Sequence, residues 1–154
     1  MKKKILTPEK ALETYIKQHN LRPSVERNMM LSFISQYDAH FTIPILIKEF
    51  GIPQHVSRAS IYRNIELFLS AGIIIRHPLN EKEPIYELTK RADTHCHRIC
   101  VKCNRIQEFT DAKAVQFLKY HRFKNFHTLH NQIYIYGICK KCQEGSIKSE
   151  KQTK

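Results

Sequence analysis

The stretch His95-Cys96-His97-Arg98-Ile99-Cys100-Val101-Lys102-Cys103 decides how this chain is read. Five metal-ligating side chains fall within it. Its second half is a Cys-x-x-Cys, and another, Cys139-Lys140-Lys141-Cys142, follows later in the chain. Each such turn can aim both sulfurs at one ion, and two turns complete a tetrahedron of the kind zinc prefers. The reading is structural zinc held by Cys100, Cys103, Cys139 and Cys142. The alternative is four unrelated core thiols or a redox pair. Four sulfurs leave no coordination place open, so this ion has no catalytic role. Residues 104–138 lie between the knuckles, enough chain for a strand, a helix and a strand.

His95-x-His97 has a different spacing. In an extended segment, alternate side chains share a face, so both imidazoles point the same way. Glu87 lies upstream, Glu108 follows the first knuckle, and His40 lies far earlier. Three imidazoles and two carboxylates form a mixed nitrogen and oxygen set suited to Fe(II), Mn(II) or Zn(II), and affinity alone does not choose among these ions. The expectation is a second, regulatory metal on His40, Glu87, His95, His97 and Glu108.

The bulk numbers fit a binder of polyanions. The chain has 154 residues, 26 Lys and Arg against 14 Asp and Glu, and a net charge of +12. Such charge draws nucleic acid. A hydrophobic content of 42% suffices for a core, but two small lobes would each be marginal without a metal staple or dimerisation. Met1-Lys2-Lys3-Lys4 has the charge of a secretory n-region, yet no apolar h-region follows it. No apolar run approaches a membrane span. A cytoplasmic location is expected, where thiols stay reduced and favour metal over disulfide. The odd count of five cysteines also fits a closed disulfide framework poorly.

Upstream of the Cys/His stretch the pattern is helical. Thr7-Pro8 caps a first helix that runs to His19-Asn20. Ser24 caps a second, with Val25, Met29, Phe33 and Ile34 on its apolar side and an end near Tyr37-Asp38. Thr42 caps a short third helix, Ile43 to Phe50, stopped by Gly51-Ile52-Pro53. Ser57 opens a fourth, with Ile61, Ile65, Phe68 and Leu69 as its buried stripe and Ala71-Gly72 as its end. Ile73 to Arg76 and Ile85 to Leu88 read as two strands joined by a polar turn at 79–84. This order is that of a winged helix-turn-helix. Thr89 to Thr94 reads as a linker. Strand Ile106 to Phe109, helix Asp111 to Tyr120 with Val115 and Leu118 on one face, and strand Gln132 to Gly137 complete the second lobe. The expected fold is α+β: residues 1–90 a winged-helix DNA-binding domain, 91–142 a dimerisation and metal-binding domain, 143–154 a polar tail.

The fourth helix opens with groups suited to the major groove. Ser57, Arg58, Ser60, Tyr62 and Arg63 can contact phosphates, and Arg or an aromatic ring can meet base edges or thymine methyls. Arg22 and Arg27 are candidates for backbone or minor-groove contacts. A solvated basic face is the plainer reading of any one of them.

Taken together, these residues resemble the ferric uptake regulator family of metal-dependent bacterial repressors, over residues 10–142. The marks are Ser60-Ile61-Tyr62-Arg63, Ile85-Tyr86-Glu87-Leu88-Thr89, His95-x-His97 before Ile99-Cys100-x-x-Cys103, Ile106-x-Glu108-Phe109, and Tyr136-Gly137-x-Cys139-x-x-Cys142. The resemblance implies a homodimer whose N-terminal lobes bind a palindromic operator in double-stranded DNA. It implies structural zinc on the four cysteines and a regulatory metal between the lobes on the five residues named above. Tyr62 and Arg63 match positions where the family's recognition helix meets DNA, and Arg22 matches a minor-groove contact. Cys96 stands where many members carry Asp, Asn104 where Gly is usual, and His130 is one residue further from Cys139 than in typical iron regulators. If the family's additional C-terminal metal site exists here, Cys96 and His130 are its candidate ligands.

The function expected is repression of metal-uptake genes, with iron first among the ions. Alternatives within the family are a zinc-uptake regulator or a peroxide sensor, although Glu108 stands where peroxide sensors carry Asp. Outside it stands a zinc-ribbon DNA-binding protein with no sensing role. A nucleic-acid deaminase needs His-x-Glu and Pro-Cys-x-x-Cys. The chain has His95-Cys96-His97 and no proline before either knuckle, so no catalytic residue is assigned.

Overall fold

The computed structural model describes residues 6–37, 39–78 and 83–144. The chain divides into two compact units, one ending at Arg91 and the other beginning at Ala92. Most of the expected polar turn (79–82), Asp38 at the expected end of the second helix, and the tail beyond residue 144 lie outside the described residues.

In the first unit, α1 (Pro8–Gln18) starts where Thr7 accepts a hydrogen bond from the backbone N–H of Lys10, with proline in the first turn. α2 (Val25–Gln36) is capped in the same way by Ser24, which accepts from the N–H of Arg27. Its buried face is Met30, Leu31 and Ile34. Val25 and Met29, expected on that face, are exposed. The stripe is shifted by one position, because Met29 and Met30 fit the helical period equally well and the neighbouring elements select one phase.

β1 (Phe41–Thr42) leads into α3 (Ile43–Leu46), which widens into a π turn over Ile47–Gly51. Gly51 is needed there for space. A Cβ on it would lie 2.7 Å from Ile61 Cδ1 in α4 (Arg58–Ser70). α4 begins at Ser57, whose hydroxyl accepts from the N–H of Ser60, and buries Ile61, Asn64, Ile65 and Phe68. It ends at Gly72, which takes the left-handed conformation at φ +67°. The N–H of Ile73 then reaches back to the carbonyl of Phe68 and that of Gly72 to Leu69, a Schellman close.

The chain next forms β2 (Ile74–His77) and β3 (Ile85–Leu88); β2 keeps the expected four residues but is shifted by one, starting after Ile73 and ending at His77. The sheet order is β1-β3-β2, antiparallel throughout. Core residues Leu12, Met30, Ile34, Phe41, Leu46, Ile61, Ile65, Phe68, Ile74 and Tyr86 pack together between helices and sheet. Residues 89–94, expected to be a linker, begin with a helical turn, α5 (Thr89–Ala92). Thr89 holds that turn in place: its N–H donates to the carbonyl of Ile73 and its hydroxyl to that of Gly72.

The second unit is built on β4 (Cys96–Cys100), β5 (Ile106–Phe109), α6 (Ala112–Tyr120) and β6 (Tyr134–Gly137). Its sheet order is β5-β4-β6, with β5 antiparallel and β6 parallel to β4. Asp111 caps α6 by accepting from the N–H groups of Lys113 and Ala114. No side chain of α6 is fully buried.

Candidate metal centres and nucleic-acid face

The parallel pairing of β4 and β6 brings the two knuckles together. Cys100 stands opposite Gly137, so both strands deliver their cysteines at the same end of the sheet. The four sulfurs lie within 4.8 Å of one another, and Cys103 Sγ is 3.8 Å from Cys139 Sγ. A Zn–S length of about 2.3 Å gives tetrahedral sulfur separations of about 3.8 Å. The first knuckle turns back at Asn104, in the left-handed region at φ +55°, with its N–H bonded to the carbonyl of Cys100. Asn tolerates that conformation better than other residues with a Cβ, which accounts for it where glycine is usual.

Hydrogen bonding sorts the four thiols. The backbone N–H of Cys139 donates to Cys100 Sγ at 3.3 Å. That bond, with help from the amides of Cys103 and Lys102, draws the Cys100 thiol down to about 6 against the opposing effect of burial. Cys142 is pushed up to about 12, chiefly by hydrogen bonding to the sulfurs of Cys139 and Cys103. The cluster thus accepts one negative charge readily and resists the last, the behaviour of a site that needs a cation to ionise fully.

The same sheet assembles the imidazoles. His97 pairs with Glu108 across β5 and with Tyr134 across β6, and its ring stacks on Tyr134 at 5.4 Å. His95, two residues earlier, presents Nε2 at 3.1 Å from His97 Nε2 and 3.8 Å from a Glu108 carboxylate oxygen. Both histidines are buried. Cys96 is also buried, but strand alternation turns it to the other face, opposite Phe109. His130 is exposed in the coil before β6. Cys96 and His130 join no group of three or more donors among the described residues.

The first unit holds the other donors. His77 and Glu87 lie diagonally across the β2–β3 pair on one face, and His40 directly precedes β1 on the far side of β3. Glu87 is fully buried. One carboxylate oxygen, Oε2, lies 3.2 Å from His77 Nε2 and 3.5 Å from His40 Nε2. The other, Oε1, accepts a hydrogen bond from the guanidinium of Arg91 in α5. Sequence reading named His40 and Glu87 but missed His77 and Arg91. No local signal marked His77: only the strand register, which sets Ile75 opposite Glu87, makes it the next residue on that face.

At the start of α4, Ser57, Arg58, Tyr62 and Arg63 are exposed and Ser60 half-buried. Tyr62 is 52% exposed, which leaves much of its ring available to a partner. Arg22 is exposed as well. Arg27 differs: its Nε donates to Asn64 Oδ1 at 3.2 Å and a terminal nitrogen to the carbonyl of Arg22 at 3.1 Å. It ties the entry of α2 to α4 and to the backbone at Arg22.

A sequence model described as the Ferric uptake regulator family matches residues 18–136. The chain belongs to that family. The Ferric uptake regulation protein of Neisseria meningitidis is 37% identical over 101 residues, covering 64% of this chain and 67% of the relative. The Peroxide-responsive repressor PerR of Staphylococcus saprophyticus is 27% identical over 134 residues, covering 85% and 88%. The manganese-containing structure of the ferric uptake regulator from Pseudomonas aeruginosa shares the fold. It has a TM-score of 0.64 at 21% identity and covers 83% of this chain and 97% of that one. In this ferric uptake regulator family chain, the all-sulfur set fits structural zinc, and the imidazole and carboxylate donors fit a harder divalent ion. Among the described residues no helix is long and apolar enough to cross a membrane.

Proposed function

We propose that this protein is a metal-dependent transcriptional repressor of metal-uptake genes, with Fe²⁺ first among the regulatory ions and Zn²⁺ and Mn²⁺ as the others the donors suit. It acts in the cytoplasm as a homodimer on a palindromic operator. The observation that carries this reading is that each unit's sheet register sets nitrogen and oxygen donors on one face. These are His40 and Glu87 in the first unit, and His95, His97 and Glu108 in the second. Donors from both units are proposed to share one ion. When bound, that ion supplies a positive centre common to the two units. The first unit, residues 1–90, is then the winged-helix DNA-binding domain, and residues 91–142 the dimerisation and metal-binding domain.

The residues have distinct tasks. Cys100, Cys103, Cys139 and Cys142 hold zinc and keep β4 and β6 aligned. Arg58, Tyr62 and Arg63 meet the operator from the first turns of α4, while Ser57 and Ser60 bind phosphate and Arg22 reaches the minor groove. Arg27, tied to Asn64 and to the Arg22 carbonyl, sets the direction of the Arg22 segment and adds charge near the backbone. Homodimer formation is supported by the apolar side chains the second unit leaves exposed, among them Phe117, Tyr120 and Phe126 near α6 and Ile135 and Tyr136 on β6. A second copy would cover them and pair two α4 helices with two half-sites. Ion binding and operator binding are then linked, each strengthening the other by the same factor.

The test is an anisotropy titration of a palindromic operator with protein that keeps its knuckle zinc but lacks the second ion, adding Fe²⁺, Mn²⁺ or Zn²⁺ in turn. The expected result is operator binding that requires the ion and is lost in the His95→Ala, His97→Ala double variant, with zinc content and dimer unchanged. Binding by that variant that is undiminished and still ion-dependent would sink the reading.

A further inference from the structure

The contact that the proposed function leaves unused is Arg91 on Glu87. Glu87 has no exposed surface, and its two oxygens face different partners: Oε2 lies against His77 and His40, and Oε1 accepts from Arg91. Arg91 comes only four residues after Glu87. It reaches back because the chain leaves β3 directly into α5, whose first residue is fastened to the Ile73 and Gly72 carbonyls. The guanidinium is itself largely buried, with 20% of its side chain exposed. A buried carboxylate with no cation nearby is costly, and a guanidinium bound to it removes most of that cost. A divalent ion on the same carboxylate does the same thing. The two cations therefore compete for one negative charge, and their like charges repel across it.

We infer that Arg91 is a built-in counter-cation for Glu87, which keeps the ion-free half-site assembled and sets the affinity of the regulatory ion deliberately low. This rests on the proposed regulatory site and deepens it: Arg91 is a positioning residue that acts through Glu87 and determines the ion concentration at which the protein responds. Neutralising it weakens the ion-free protein and tightens the ion, two effects of opposite sign that a purely structural arginine would not produce together.

The experiment uses the full chain with one zinc per chain on the knuckles. Mn²⁺ alone is titrated by calorimetry into the natural protein, Arg91→Gln and Glu87→Gln, and the thermal midpoint of each is measured without Mn²⁺. Arg91→Gln is expected to bind Mn²⁺ more tightly, on the order of tenfold, and to melt at a lower temperature without it, with knuckle zinc unchanged. Glu87→Gln is expected to lose the Mn²⁺ site. A Glu87-dependent Mn²⁺ site whose affinity is unchanged or weaker in folded Arg91→Gln overturns the role of Arg91 alone. Absence of any Glu87-dependent Mn²⁺ site in the natural protein overturns the regulatory site itself, and the inference with it. Should Arg91→Gln not fold, Arg91→Met removes the charge but keeps an unbranched, adaptable side chain in its place. It too must bind Mn²⁺ more tightly, and an unchanged or weaker affinity overturns the inference.

Discussion

Removing zinc from the four cysteines should unfold the second unit and spare the first. The reason is the distribution of buried surface. The first unit has a packed cluster of aliphatic and aromatic side chains, whereas the fully buried apolar residues described in the second are Ala92, Cys96, Ile99 and Cys100. The metal closes a loop between Cys103 and Cys139, which are 36 positions apart. Treated as a cross-link, a loop of that length restricts the unfolded chain by about 4 kcal/mol, comparable to the whole stability of a small domain. At 1.4 kcal/mol per decade, this is about a thousandfold in the opening equilibrium. The assay is amide hydrogen exchange with zinc present, after chelation under reducing conditions, and in Cys139→Ser. The amides of His97, bonded to the Ile133 carbonyl, and Val101, bonded to that of Gly137, are the reporters. They should lose about three decades of protection, while β2 and β3 amides keep theirs. If zinc is gone and the His97 and Val101 amides stay within about tenfold of their protected rates, the argument that metal substitutes for a core is wrong.

Three further outcomes are expected. Gly51→Ala should destabilise the first unit by about 1–3 kcal/mol, because its new methyl meets Ile61 Cδ1 at 2.7 Å. Ile61→Val, which removes that atom, should relieve part of the loss in the double variant, as read by urea midpoints. Asn104→Val should weaken the first knuckle by about 1–2 kcal/mol or more, since valine resists the φ of +55°, while Asn104→Gly should keep zinc affinity, as measured by chelator competition. Zinc affinity should also fall with acidification and fall more steeply once the pH passes below about 6, where Cys100 takes up its proton too. The sign follows from the shifts. The lowered Cys100 value stabilises the metal-free fold above the ordinary thiol range and loses that contribution as pH drops through about 6. The raised Cys142 value, about 12, favours the fold below the ordinary range and loses it as pH rises through 12. A pH-independent zinc affinity would contradict both shifts.

The sequence made the donors legible because their spacing is local. Cys-x-x-Cys, His-x-His and the capping residues Thr7, Ser24 and Ser57 each act within a turn or a strand pair, and each falls where its chemistry requires. What stayed hidden depends on pairing at long range. His77 joins Glu87 only once β2 and β3 are registered, and a terminal histidine in an apolar run gives no sign of that. The phase of α2 could not be read, because two adjacent methionines serve the period equally well and only packing separates them. The π turn over Ile47–Gly51 ends where Gly51 closely approaches α4, a tertiary contact with no local signature beyond the glycine itself. Arg91 lay in a stretch whose polarity suggests a linker, and it took the hydrogen bonds of Thr89 to turn that stretch back on Glu87.

The parallel alignment of β4 with β6 also orders events in time. A ribosome completes the first unit's sheet once Leu88 has emerged, so that unit can fold while the rest is still being made. The second unit has no such early stopping point. Its central strand waits for a neighbour that appears only at residues 134–137, and its metal site waits for Cys142. A nascent chain therefore carries Cys100 and Cys103 as an open half-knuckle, reduced and reactive, until the last ligand arrives. Zinc that reaches the chain before Cys139 and Cys142 emerge finds only two of its four ligands, so supply from that point onward should decide how much of the second unit folds.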